Sequence, residues 1–303
     1  MTLSICIPIY NYNVTRLIHE LSAQASQLSC PYEIILMEDG SQSFLSDNAL
    51  LAELPHVQHI ELPYNIGRSA IRNKLADTAQ YEFLLFMDCD TLPLSSHFIQ
   101  NYLTAAQSSN ADVILGGCHY LKERPDTAHL LRWLYGIQRE MGNATERNRH
   151  PFRSFTAFNL LIKKSVFEKV RFDESLKEYG HEDTLFGWEL EKAHFHLLHI
   201  DNPAIHQIDE EKNNNFLQKT NSSLKNLWVV YQKIEDKDDF RKDIKILKYQ
   251  EFLRKTRLLR PTSVLLSLFS KLFRRNLTSS HPQMFIFDLY KLEVLCRASL
   301  NKI

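Results

Sequence analysis

The sequence predicts an α/β fold, a mainly parallel sheet with helices on both faces, followed by a helical C-terminal extension. Three observations predict it. Through residues 1–200, short apolar runs alternate with stretches of helical character, the rhythm of βαβ units. The runs are nearly continuous in apolar character rather than alternating, as strands covered on both faces require. Finally, 303 residues with 44% apolar and 24% charged side chains suit one large domain with an appendage and are too apolar for disorder.

The elements follow in order. Residues 4–9 form an apolar run with no basic or long apolar leader before it, so we expect no targeting segment. No run of about 18 apolar residues exists, so we expect nothing to span a membrane and place the protein in the cytoplasm. Strands are expected at 33–37, 57–62, 81–87 and 112–115, with helices at 14–27, 46–54, 68–80 and 95–108 between them. Residues 121–152 change character: polar, turn-like segments bracket Trp133 and Tyr135. This reads as an excursion from the sheet, a loop over a site. A strand at 155–162, helices at 164–170 and 182–194 and a strand at 195–200 complete the first domain.

A composition shift near Asn213 divides the chain into residues 1–212 and a helical, basic region, 213–303. Eleven Lys and Arg lie between Arg241 and Arg275, against Asp243 and Glu251. Two readings carry equal weight here. One is a basic amphipathic surface for an anionic membrane or a partner groove, peripheral on the inner face of the cell membrane. The other is a tail packed on the main domain with a solvated basic face. Residues 285–295 are apolar enough for a helix pair, hence a homodimer. Overall, 36 basic and 36 acidic residues balance, which argues against nucleic acid as a partner. Five scattered cysteines, odd in number and without a C-x-x-C pair, argue against a disulfide framework or zinc ribbon and for a reducing compartment.

Chemistry concentrates where strands end. Asp88-Cys89-Asp90 follows the fourth strand. Residues two apart in a strand face one side, so two carboxylates aim at one spot, where open α/β sheets bind ligands. Such oxygen ligands suit Mg²⁺ or Mn²⁺ held with substrate phosphates; the alternative is a turn in which one Asp caps a helix. Asp39 ends the second strand and can accept from a nucleobase N–H, or make an Asx turn. Pro8, Tyr10 and Asn11 end the first strand and offer flat rings and an amide to a base, or form a polar loop. Arg72 suits a diphosphate, or is a solvated surface arginine. Glu182 and Asp183 open a helix as dipole-favoured acids or supply a general base. Spacing alone does not select His206 among thirteen histidines.

Together these segments resemble the inverting glycosyltransferases of family two, with the GT-A nucleotide-sugar fold. The matching order is Ile7-Pro8-Ile9-Tyr10-Asn11, Glu38-Asp39-Gly40-Ser41, Asn65-Ile66-Gly67 with Arg72-Asn73, Asp88-Cys89-Asp90, Phe172-Asp173-Glu174 and Glu182-Asp183. Gly180–Leu190 also looks like the acceptor-side motif of galactosyl- and N-acetylgalactosaminyl-type transferases. The resemblance covers about residues 2–210 and implies a metal-dependent, inverting UDP-sugar transferase acting on a glycan or glycolipid. It implies that Asp39 contacts the uracil, with Pro8, Tyr10 and Asn11 lining the base and Arg72 near the uracil or diphosphate. Asp88 then binds the ribose or sugar side, Asp90 and His206 hold Mn²⁺ or Mg²⁺, Asp183 is the base and Glu182 an acceptor or sugar contact. Glu38 departs from the usual pattern, which has two aspartates. On this reading Arg124, Arg132, Arg139, Arg147, Arg149 and Arg153 cover the donor or meet an acidic acceptor; the alternative is a solvated basic loop. Two rivals stand beside it: a sugar nucleotidyltransferase, against which the glycine-free first loop weighs, and an inactive GT-A-like binding module.

Overall fold

The computed structural model describes residues 1–208 and 211–300. The first half runs β1 (Leu3–Ile9), α1 (Thr15–Ala25), β2 (Tyr32–Glu38), α2 (Leu45–Ala49), β3 (Val57–Glu61), α3 (Arg68–Thr78), β4 (Phe83–Met87), β5 (Thr91–Pro93), α4 (Phe98–Ser108), β6 (Val113–Leu115) and β7 (Cys118–His119). Then follow α5 (Leu130–Tyr135), α6 (Ala144–Arg147), β8 (Asn159–Lys163), α7 (Lys164–Phe167), α8 (Glu182–Lys192), β9 (Leu197–His199) and β10 (Ala204–His206). The remainder is helical: α9 (Asn213–Lys233), α10 (Lys237–Arg241), α11 (Lys245–Lys255), α12 (Leu259–Leu268), α13 (Ser270–Leu277) and α14 (Met284–Leu300).

Among the described residues, seven strands form the main sheet in the order β3-β2-β1-β4-β8-β6-β9. β3, β2, β1 and β4 pair in parallel, as do β6 and β9; β8 runs antiparallel between β4 and β6. The continuous apolar runs now have their explanation. Successive side chains enter opposite faces: Ile5, Ile7, Ile34, Leu36 and Leu85 pack in one core, while Cys6, Ile35, Met37, Leu84 and Phe86 pack in another. The central strands therefore carry apolar side chains on both faces, with Ser4 in β1 and Glu33 and Glu38 in β2 as the polar exceptions.

Contacts divide the chain into two compact units. One holds residues 1–120, 141–177 and 182–207, and contains both sheets. The other holds residues 121–140, 178–181 and the chain from 208 onward. Within that second unit α14 packs on α9, α12 and α13, with Phe287, Tyr290, Val294 and Leu295 buried. Part of the 285–295 segment thus fills a helical core, while Phe285 stays exposed.

Two expectations are corrected and one element is added. The strand expected over 155–162 begins only at Asn159. Residues 121–152 are not an open loop: they carry α5 and α6, and Leu130 and Leu131 are buried. The short strands β5, β7 and β10 make a second, three-stranded sheet, β5-β10-β7, that apolar run lengths do not announce.

Candidate active site

The order β2-β1-β4 sets the site. The chain leaves β1 toward β2 on one side and later returns to place β4 on the other. This is a topological switch point, where the carboxyl ends of parallel strands open a crevice for ligands. Tyr10 and Asn11 follow β1, Asp39 follows β2 and Asp88 follows β4, so three of the predicted segments share this edge.

On the β2 side, a polar lattice shapes the loops. Asn11, in the left-handed region at φ 52°, accepts with Oδ1 from the Gln42 (2.7 Å) and Ser43 (3.1 Å) amides. Ser41 Oγ accepts from the Asn11 amide at 2.9 Å. The fully buried Glu38 accepts from Asn48 Nδ2 at 2.8 Å and from the Ser41 hydroxyl. Glu38 therefore holds the loop from within, whereas its neighbour Asp39 reaches the 64–67 segment. Asp39 accepts from the Ile66 amide at 2.6 Å and the Gly67 amide at 3.2 Å. Burial raises the Asp39 pKa, and these two amides oppose the rise. Gly40 lies at φ +69°, and a Cβ there would sit 2.4 Å from the Asn65 nitrogen, so only glycine allows the two loops this approach. Tyr10 is exposed and Pro8 half-buried at the crevice.

On the β4 side, the two aspartates part company. The sequence reading aimed both at one spot, but the strand ends at Met87 and the following turn breaks the period of two. Asp88 Oδ1 accepts from Arg72 Nη2 at 2.7 Å. Asp90 Oδ2 lies 3.3 Å from His206 Nε2. Cys89 packs against the apolar core, and burial drives its thiol pKa far up.

Arg72 sits on α3, its side chain only 4% exposed, with its guanidinium 5.6 Å from the Phe172 ring centroid. Burial works against its charge, but Asp88, Asp183 and Glu182 outweigh burial and hold its pKa above the ordinary value. Asn73 fixes the Phe172 wall: it exchanges hydrogen bonds with the Phe172 backbone and donates to Glu174 at 2.9 Å. The sequence reading of Arg72 as a solvated surface group is therefore excluded.

Glu182 and Asp183 open α8. Asp183 Oδ2 accepts from the Ala157 amide at 3.0 Å. Its carboxyl is pushed up to about 6, by burial first and by Glu182 and Asp88 as well, against Arg72 and the Ala157 amide. Arg68 Nη1 stands 3.9 Å from Glu182 Oε1. Five buried polar atoms here have no hydrogen-bond partner among the described residues: Ser69 Oγ, Arg72 Nε, Arg72 Nη1, Glu182 Oε2 and Asp183 Oδ1. Buried polar groups are almost always satisfied, so this set is built for a polar ligand or ordered water. Ser69 had not been singled out, although it precedes Arg72 by one turn on the same helix face.

His206 reaches Asp90 through the small sheet. β10 pairs antiparallel with β5, setting His206 opposite Thr91, and the Gln207 amide donates to the Asp90 carbonyl at 2.8 Å. Tyr120 Oη lies 3.0 Å from His206 Nδ1. Two ligands of one divalent cation, each about 2.1 Å from it, stand about 3.0–3.4 Å apart. The 3.3 Å separation of Asp90 and His206 fits that span, and Tyr120 is the kind of outer partner that fixes a ligating imidazole. Among the described residues, no group of three or more His, Cys, Asp or Glu forms such a site. Further ligands would come from phosphate oxygens and water.

Arg132, Arg139 and Arg147 are not part of a free basic fringe. Arg147 donates to His199 Nδ1 at 3.1 Å, the Ile200 carbonyl at 2.8 Å and the Gly116 carbonyl at 3.2 Å. It is bound into the fold rather than offered to an acceptor. Arg132 is buried against Glu140 (3.0 Å) and Glu211 (3.1 Å), and Arg139 pairs with Asp288 at 2.9 Å. Arg149 is exposed beside Glu146.

The Arg72–Asp88 pair makes a stability prediction. Asp88→Ala strands a buried guanidinium near two other acids and should destabilise by about 3 kcal/mol. Urea titration of the variant would measure it, and a midpoint equal to wild type would show that Asp183 and Glu182 alone satisfy Arg72.

A mainly parallel sheet covered on both faces, with acidic residues at its switch point and a short second sheet beside them, is the GT-A fold of the glycosyltransferases. The chain belongs to glycosyl transferase family 2, whose description matches residues 4–171. It is 26% identical over 268 residues to the chondroitin synthase of Pasteurella multocida (strain Pm70), covering 77% of this chain and 27% of that protein. It is 27% identical over 220 residues to a hyaluronan synthase of Pasteurella multocida, covering 61% of this chain and 22% of that one. The chain thus spans about a quarter of the length of these curated relatives. Among solved structures, S. aureus TarS 1–349 matches with a TM-score of 0.55 at 14% identity, over 99% of this chain and 90% of that one. The mannosyltransferase PcManGT of Pyrobaculum calidifontis, in complex with GDP-Man and Mn²⁺, matches with a TM-score of 0.62 at 13% identity, over 99% and 87%. At these identities the solved structures bear on the fold alone.

Proposed function

We propose that the chain is a metal-dependent, inverting transferase that moves a sugar from a UDP-sugar to a hydroxyl of a growing polysaccharide or glycolipid. The observation that carries this reading is the cluster of Arg72, Asp88, Glu182 and Asp183, with its buried unpartnered atoms, beside the Asp90–His206 pair. Relatives named chondroitin and hyaluronan synthase support a polysaccharide acceptor. TarS structures in complex with UDP and with UDP-GlcNAc support a uridine donor. The PcManGT complex supports a divalent cation on this fold.

The chain's own residues divide the work. Asp39, Tyr10, Asn11 and Pro8 receive the base at the β1–β2 side of the crevice. Both Asp39 oxygens already accept an amide hydrogen, but each retains a second lone pair for a base N–H. Asp183 Oδ1, unpartnered, takes the proton of the acceptor hydroxyl. The acceptor oxygen then bonds to the anomeric carbon as the bond to the diphosphate oxygen breaks, and its electron pair leaves with UDP. Attack from the face opposite UDP inverts that carbon. Arg72 holds Asp88 and keeps a positive charge beside the reacting groups. When bound at Asp90 and His206, a divalent cation supplies charge stabilisation for the departing diphosphate.

The reading is tested by UDP release from a panel of UDP-sugars with Mn²⁺, Mg²⁺ or EDTA, each with oligosaccharide acceptors. Cation-dependent release from one donor is expected. Release from GDP-mannose alone would replace the uridine donor. Release of pyrophosphate from a sugar phosphate and UTP would favour the nucleotidyltransferase. Failure of UDP and Mn²⁺ to bind together in calorimetry would leave an inactive binding module.

A further inference from the structure

We propose that the exposed face of α11, α12 and α13 docks on an anionic lipid bilayer. The stripe Val264, Leu265, Leu268, Phe269 and Leu272 lies on the outside of α12 and α13, each side chain between 43% and 73% exposed. Its spacing of one, three, one and three residues keeps it on one side of a helical path. The other side is already in use: Leu259, Ser263, Leu266, Phe273 and Leu277 are buried in the helical unit. Tyr249 and Phe252 on α11 add two more exposed rings. The second unit therefore carries two apolar faces, one packed and one open.

Charge selects the occupant. Between residues 244 and 287 stand nine Lys and Arg and a single acid, Glu251. That acid pairs with Arg254 at 2.7 Å and offsets one of the nine charges, which leaves the face strongly basic. Arg257, Arg260, Lys271 and Arg275 are exposed around the stripe. A second copy of this face would set like charges against one another, which opposes a symmetric dimer through it. Cations bordering an apolar stripe instead suit a helix lying in the plane of a membrane interface. The apolar side enters the acyl boundary and the long basic side chains reach the headgroups. Among the described residues, no helix is long and apolar enough to cross a membrane, so the contact lies on the surface.

The experiment is co-sedimentation of the full chain with vesicles of phosphatidylglycerol and phosphatidylcholine, or of phosphatidylcholine alone. Two multiple variants accompany it: R257Q/R260Q/K271Q/R275Q and L265S/L268S/L272S. All seven positions are exposed, so both variants should fold, as far-ultraviolet circular dichroism would verify. Wild type should bind the anionic vesicles and not the zwitterionic ones. Each basic residue near such a surface contributes about fivefold, so removing four should lower partitioning by about 600-fold. The apolar variant should lose about tenfold and keep its loss in high salt. Equal binding by either variant, or equal binding to phosphatidylcholine alone, would overturn the proposal. So would a dimer in sedimentation velocity that the apolar variant dissociates, or retention only on an acidic polypeptide. UDP release by both variants should match wild type, which separates this test from that of the transferase reading.

Discussion

Asp183→Asn should lower kcat by about 10²–10⁴-fold, the usual contribution of a positioned general base, without lowering stability. Three facts combine here. One Asp183 oxygen is held by the Ala157 amide, and the other is buried and has no partner among the described residues. Burial pushes its carboxyl up to about 6, so at neutral pH it is ionised yet basic enough to accept a proton. The rate should therefore fall about tenfold per pH unit below pH 6 and level off above it. The stability sign runs the other way. A carboxyl whose pKa is raised on folding binds its proton more tightly in the native state. Its ionisation therefore costs stability as pH rises from about 4 toward 6. The asparagine keeps an oxygen for the Ala157 amide and removes a buried charge, so at pH 7 its melting temperature should equal or exceed that of wild type. Full activity in Asp183→Asn, or a flat rate profile between pH 5 and 7, would remove Asp183 from the chemistry. A lowered melting temperature would assign it to the support of α8 instead.

What the sequence disclosed follows from what is local. β1, β2 and β4 were legible because each is an apolar run long enough to fill both cores, and the residues after them fall at the crevice wherever the sheet is parallel. Asp39 and Asp88 were placed on that logic, and Arg72 by its position one turn into the helix that Gly67 precedes. The separation of Asp88 from Asp90 was not, because a period of two holds only inside a strand and β4 stops at Met87. His206 had no local signal, since its partner lies 116 residues away and the pairing is made by two three-residue strands. The resemblance alone pointed to it. The arginines of 121–153 misled for a related reason. A basic count gives charge but not partners, and Arg132 and Arg147 find theirs at Glu211 and at the Gly116, His199 and Ile200 positions. The C-terminal helices were legible as basic and amphipathic. Which apolar side chains are buried depends on packing within the unit, and only the structure separates Leu266 from Leu265.

Asp90→Ala should lower UDP release by about 10²–10³-fold, the scale of losing one electrostatic contact to developing charge. The fold should persist, since the Asp90 side chain is 38% exposed and partners His206 at the surface of the site. His206→Ala should act in the same direction, and the double variant decides between two accounts. If both side chains hold one cation, the first substitution already removes most of what the second would remove, and the double variant should be little worse than the poorer single one. If Asp90 only orients His206, or each acts alone, the losses should multiply. A second readout is independent of turnover. Mn²⁺ titrated into the protein with UDP should show weakened binding in each single variant by electron paramagnetic resonance. EDTA should bring wild type to the level of Asp90→Ala and leave that variant unchanged. Persistence of Mn²⁺ binding in the double variant would place the cation elsewhere. Asp90, His206 and Tyr120 would then be a structural clasp joining the small sheet to the end of β4.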